Sequence, residues 1–191
     1  MLPWVVRRTR LPLLTLRCPD CRTAKATTKD GRFRVNANGK LLDVWLLVNC
    51  VACDRTTKLA VHERIAVRSL GTAGLRAFEA NDPALVAQTL LDPLFARRNR
   101  LTLDWDGAWR LDTPEGRIVD AAWPVRVEVV FLDPVPVRPG RLIAQGLGIS
   151  RSETARRIKC EVPLDRRTST DFHFVLMPGD GQDASDPPDP G

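Results

Sequence analysis

The sequence has no apolar run approaching the roughly 18 residues that a membrane helix needs. Its first apolar stretch, Leu2 to Val6, is short and is followed by Arg7, Arg8 and Arg10, the reverse of a secretory signal. Histidine is scarce. His62 and His173 are the only two, and neither lies near a serine or cysteine in a nucleophile motif, so each reads as a strand-surface or core residue. There is no glycine-rich phosphate loop, no dinucleotide fingerprint and no internal repeat. Asp104 and Asp106 alternate and could ligate a metal, but aspartates flanking a hairpin are commonplace. These absences exclude the familiar hydrolase and nucleotide-dependent patterns. The expectation is a cytoplasmic protein without catalytic residues, membrane contact or an evident small-molecule substrate, an RNA-acting enzyme being the remaining enzymatic reading.

What is present is enough for a core. The chain has 191 residues, 43% of them hydrophobic, which suits one generous domain or two small ones. The net charge of +6 is uneven: residues 1–69 carry +9, residues 70–137 carry −3 and residues 138–167 carry +5. The last 24 residues hold five Asp and no Lys or Arg. Two basic segments therefore flank a mildly acidic middle, and anionic partners are expected at both.

Four of the five cysteines form two pairs of identical spacing, Cys18-Pro19-Asp20-Cys21 and Cys50-Val51-Ala52-Cys53. Two intervening residues let both sulfurs of a pair face one ion, and a hairpin between the pairs brings them together. The expectation is a structural zinc on Cys18, Cys21, Cys50 and Cys53, its four thiolates closing the coordination sphere. Two disulfides, a redox dithiol pair and an iron-sulfur centre are the alternatives, with no oxidising compartment or cofactor partner signalled. Cys160 has no pair and reads as a small semi-buried hydrophobe.

The segment between the pairs predicts a long β-hairpin, Arg32–Val35 and Leu41–Val48 about Asn38-Gly39, with a third strand over Thr56–Glu63. Apolar residues three to five apart from Thr72 to Asn99 predict two helices, with Asn81-Asp82-Pro83 as a helix start. Leu101–Asp104 and Trp109–Leu111 predict a second hairpin about Trp105-Asp106-Gly107-Ala108, and Val125–Leu132 a β-branched strand. Pro134, Pro136 and Pro139 predict a stiff linker over Asp133–Gly140.

Beyond it, two short helices are expected, Arg141–Gly146 and Arg151–Lys159. Ser150 with Glu153 three residues on makes a capping box for the second. On that helix Ser152, Arg156 and Lys159 share a face, with Ala155 and Ile158 turned inward. Ser150 and Arg151 stand beside that face, at a helix start suited to a phosphate. Residues 179–191 are too polar to repay ordering and read as a disordered acidic tail.

The segment from Arg141-Leu142 through Leu147-Gly148-Ile149-Ser150-Arg151-Ser152 to Ala155-Arg156-Arg157-Ile158-Lys159 resembles the S-four RNA-binding domain, or alpha-L motif, over about 30 residues. That domain occurs in a small-subunit ribosomal protein, pseudouridine synthases and tyrosyl-tRNA synthetase. The resemblance implies RNA contacts at Arg141, Ser150, Arg151, Ser152, Arg156 and Lys159. The sequence departs from the pattern at Ile143, where an acidic residue is usual. It departs again at Cys160 to Arg166, where Gly and a Val-x-Val-Asn-Gly strand turn are usual.

CPDC, GRFRVNANGKLLDVWLLVNCVACD, Glu63-Arg64 and Leu147 to Ser152 also resemble a bacterial family, the domain of unknown function 1062 family, from Cys18 to Leu176. The fold class expected is α+β: a zinc ribbon with a long hairpin over 1–69, a mixed middle over 70–137, a basic helical module over 138–178, and the tail. The expected function is binding of structured RNA or ribosomal particles through the basic module. The alternative is a protein-interaction adaptor that binds no nucleic acid.

Overall fold

The computed structural model describes residues 2–114 and 124–178, and the expected acidic tail lies outside them. In chain order the elements are β1 (Leu2–Arg8), β2 (Leu13–Thr15), β3 (Lys25–Asn38), β4 (Leu41–Cys50), β5 (Thr56–Ala66), α1 (Gly71–Glu79), α2 (Pro83–Leu91), α3 (Pro93–Arg98), β6 (Thr102–Asp104), β7 (Trp109–Asp112), β8 (Val125–Phe131), α4 (Pro139–Leu147), α5 (Arg151–Arg157), β9 (Ile158–Cys160) and β10 (Phe172–Leu176). The class is α+β, richer in strands than the sequence suggests. No helix of the described residues is long and apolar enough to cross a membrane.

The chain divides into two compact units, Leu11–Asp106 and Met1–Arg10 with Gly107–Gly191, so neither break falls near residue 69 or 137. The physical reason lies in the N-terminal strand. β1 pairs in parallel with β8 and antiparallel with β7, which ties the first residues to the second half of the chain.

In the Leu11–Asp106 unit the sheet order is β5-β4-β3-β2-β6. β4 alternates buried and half-buried along its whole length, so Leu42, Val44, Leu46 and Val48 share one face. Helices α1 to α3 cover that face, with Phe78, Val86, Leu90 and Phe95 in the same core. The hairpin turns at Gly39-Lys40, with Gly39 at φ +61, one residue beyond the expected dipeptide. The helical region holds three helices, not two. Asp82 accepts the amides of Ala84 and Leu85 as expected, and Asp92 caps Leu94 in the same way. The second Asp-Pro start, Asp92-Pro93, carries the same sequence signal as the first.

In the other unit the order is β7-β1-β8-β10-β9. Trp4, Val6, Val127, Val129, Phe172 and Phe174 are buried on it. The hairpin expected about Asp106-Gly107 does not form, because β6 pairs with β2 and β7 with β1, in different sheets. Gly107 does turn the chain, at φ +64. Nor is Asp133–Gly140 a bare linker: Val135 and Val137 are buried, Val137 bridges Thr168, and Pro139 opens α4.

Residues 138–178 do not stand alone as a helical hairpin. α5 stops at Arg157 and the chain continues as β9, because Ile158, Lys159 and Cys160 pair with Leu176, Val175 and Phe174. α4 ends at Gly148 in the left-handed region (φ +66), and Ser150 caps α5 by accepting the Glu153 amide.

Candidate metal centre and basic surface

β3 and β4 run antiparallel and bring their outer ends together, and those ends hold the two cysteine pairs. Cys50 is the last residue of β4, opposite Ala26. The two knuckles repeat one backbone geometry. The Cys18 amide donates to the Thr23 carbonyl (2.8 Å) and its carbonyl accepts from Arg22 (3.0 Å). The Cys50 amide donates to Arg55 (2.9 Å) and its carbonyl accepts from Asp54 (3.0 Å). The residue after each second cysteine is left-handed, Arg22 at φ 62 and Asp54 at φ 58. Asp20 of one knuckle accepts from the Arg55 guanidinium of the other at 2.7 Å, joining them outside the sulfurs.

The four ligand sulfurs lie within 4.8 Å of one another, Cys18 Sγ to Cys53 Sγ at 3.6 Å and Cys21 Sγ to Cys50 Sγ at 3.4 Å. None of the five cysteines is in a disulfide in this structure. An ion bound to four thiolates at about 2.3 Å would hold them about 3.8 Å apart, so the site fits a metal ion. Cys18 and Cys50 are buried; Cys21 and Cys53 are exposed.

The electrostatics of the four thiols are unequal. The Thr23 hydroxyl and amide donate to Cys21 and lower its pKa to about 6. Cys53 likewise accepts the Arg55 amide, but crowding by Cys21 and Cys18 pushes it up to about 12. Four sulfurs this close cannot all ionise without a cation among them, so metal binding and proton release are coupled.

The six residues of the basic surface are all exposed: Arg141 on α4, Ser150 at the cap, Arg151, Ser152 and Arg156 on α5, and Lys159 on β9. Lys159 is therefore not on the helix with Ser152 and Arg156. Ala155 is also exposed; the buried residue of α5 is Thr154, and Ile158 is buried at the start of β9. Arg157, not assigned a role from sequence, is committed to structure: it pairs with Glu153 (2.7 Å) and donates to the Met177 carbonyl (3.0 Å).

The remaining candidates have defined neighbours. His62 stands edge-on to Phe78. His173 lies between Glu161 (3.2 Å) and Glu128 (3.7 Å), and the Glu161 carboxyl also accepts the His173 amide, which holds its pKa below the usual range. Asp104 pairs with Lys25 at 2.7 Å and accepts the Asp106 amide. Cys160 is half-buried, and burial raises its thiol pKa.

A model of the family described as Protein of unknown function (DUF1062) matches residues 35–164. The chain belongs to this family. The match takes in Cys50, Cys53, α4 and α5, and stops short of Cys18 and Cys21 at one end and of β10 at the other. It is shorter at both ends than the span expected from the sequence. No curated protein and no solved structure matches the chain.

Proposed function

We propose that this DUF1062 protein is a zinc-ribbon protein that binds structured RNA or ribosomal particles through the basic surface of α4, α5 and β9. The observation that carries the reading is how that segment divides. Leu142, Ile143, Thr154 and Ile158 take the buried positions, while Arg141, Arg151, Arg156 and Lys159 are left at the surface. Guanidinium and ammonium groups on a small surface supply phosphate contacts, which give affinity and salt dependence with little base reading. That suits recognition of folded RNA by shape. The likeness to the S-four domain supports the same reading.

The ion is zinc in this reading, because four thiolates at tetrahedral spacing leave no open position for water and suit a structural role. It fixes the ends of the β3–β4 hairpin and takes no part in chemistry.

The test is binding of the purified chain to total structured RNA across a salt series. The control is an Arg151→Ala/Arg156→Ala/Lys159→Ala variant matched for metal content and circular dichroism. Micromolar or tighter binding that weakens steeply with salt and is lost in the variant supports the reading. Equal, weak binding by both proteins overturns it and leaves the protein-interaction adaptor as the reading to pursue.

A further inference from the structure

Helices α1 to α3 cover one face of the β3–β4–β5 sheet, and the register identifies what points the other way. Arg34 pairs with Trp45 and Trp45 with Ala60; Arg32 pairs with Leu47 and Leu47 with Lys58. Directly paired residues share a face, so Trp45 and Leu47 form a half-buried apolar strip with Arg32 and Arg34 on one side and Lys58 on the other. The three cations are exposed, and none has a carboxylate partner among the described residues.

Two acidic residues stand at outward ladder positions, and only one of them has a cation for a partner. Asp43 accepts the Arg64 amide, and Asp104 is paired with Lys25. Asp30 falls in the register shift of β3 between Thr27 and Arg32, and Glu63 in the shift of β5 between His62 and Ile65, so neither has a ladder partner. The Lys58 ammonium lies over the Trp45 ring, 5.6 Å from its centroid, so that ring face already attracts a cation. An aromatic ring flanked on a sheet by cations without carboxylate partners is the combination that holds unpaired nucleotides, bases stacking on the ring and phosphates meeting the cations.

We propose that this outer face binds single-stranded RNA, with Trp45 as the stacking surface and Arg32, Arg34 and Lys58 as phosphate contacts. Lys58 leaves the ring for a phosphate as a base takes its place. The surface belongs to the Leu11–Asp106 unit and uses none of the residues of α4 and α5, so it goes beyond the function proposed above.

The experiment uses the full chain and a fluorescein-labelled twelve-nucleotide oligouridine, followed by anisotropy between 50 and 200 mM salt. Trp45→Ala is expected to weaken binding on the order of tenfold, and Trp45→Phe, which keeps a ring, to recover most of it. Arg32→Ala/Arg34→Ala/Lys58→Ala, made at exposed positions, is expected to lower the slope of log affinity against log salt by about 2, the value for three single-strand phosphates. The Arg151→Ala/Arg156→Ala/Lys159→Ala variant is expected to bind the oligonucleotide like the wild type, so failure of one surface is distinguishable from failure of the other. No micromolar binding by the wild type overturns the proposal. So does equal binding by wild type and both platform variants, or loss confined to the α5 variant.

Discussion

The Asn99 side chain closes the open edge of β5 at Ala60, its oxygen accepting the Ala60 amide at 2.9 Å and its nitrogen donating to the Ala60 carbonyl at 3.0 Å. The same nitrogen donates to Phe95 within the end of α3, and the Arg98 guanidinium reaches the Val61 carbonyl beside it. A carboxamide at the end of a helix thus does what a neighbouring strand would do, and it blunts an edge that could otherwise pair with another chain. Asn99→Ala is expected to cost about 1–3 kcal/mol, because the Ala60 groups lose their partner. Urea unfolding reads the loss, and size-exclusion chromatography at rising concentration is expected to show added self-association.

Metal content tests the knuckles. One zinc per chain is expected, released by a thiol-blocking reagent and absent from Cys50→Ser. The variant is expected to lower the thermal midpoint by about 10 °C or more, since each kcal/mol lost from a domain of this size shifts it by about 4–8 °C. An iron-sulfur absorption spectrum, or an unchanged midpoint after the metal is removed, would contradict the structural zinc.

Two helix glycines make opposite predictions. At Gly146 an added methyl would stand 2.5 Å from the fully buried Trp4 ring and 2.9 Å from Leu111, so α4 would have to move off the sheet. Overpacking of this kind costs about 1–3 kcal/mol, against about 1 kcal/mol gained in helix propensity. Gly146→Ala is therefore expected to destabilise. At Gly74 on α1 the nearest atom, Leu70 Cβ, is 3.6 Å away, an ordinary contact. Gly74→Ala is expected to stabilise by about 0.5–1 kcal/mol. Chemical denaturation of the two variants side by side decides both.

His62 predicts a pH dependence. Burial, and then the nearby Arg98 charge, hold its pKa below the ordinary histidine value. Between that lowered value and about 6.5 the unfolded chain binds more protons than the folded one, so stability falls as pH drops through this window. His62→Phe keeps a ring against Phe78 and removes the titration. The difference in unfolding free energy between wild type and variant, measured from pH 7.5 to 5.5, is expected to shift in the variant's favour as pH falls. Taking the difference cancels proton-driven loss of metal, which both proteins share.

Local chemistry was legible in the sequence. Each Cys-x-x-Cys pair, the glycine at the turn of the hairpin between them, the Asp82-Pro83 helix start and the Ser150 cap depend on residues within a few positions of one another. The structure places them as read, apart from a one-residue shift of the turn and the Glu153 carboxyl of the capping box, which pairs with Arg157. Asp92-Pro93 carried the same cap and was legible too. The basic surface was legible as a set of residues but not as a helix face, because β pairing takes over the chain at Ile158.

What only the tertiary structure decided is which distant segments share a sheet. Leu2–Arg8 is a short apolar run that could fit many places. Its position between Val125–Phe131 and Trp109–Asp112 depends on partners more than a hundred residues away. The Asp106-Gly107 turn joins two units because each flanking strand has a better partner elsewhere. The sequence by itself determined turns, caps and the paired cysteine knuckles, whose energies are set within one or two turns of backbone. Strand pairing balances burial and hydrogen bonds against loop closure across the whole chain, and no local pattern records that balance.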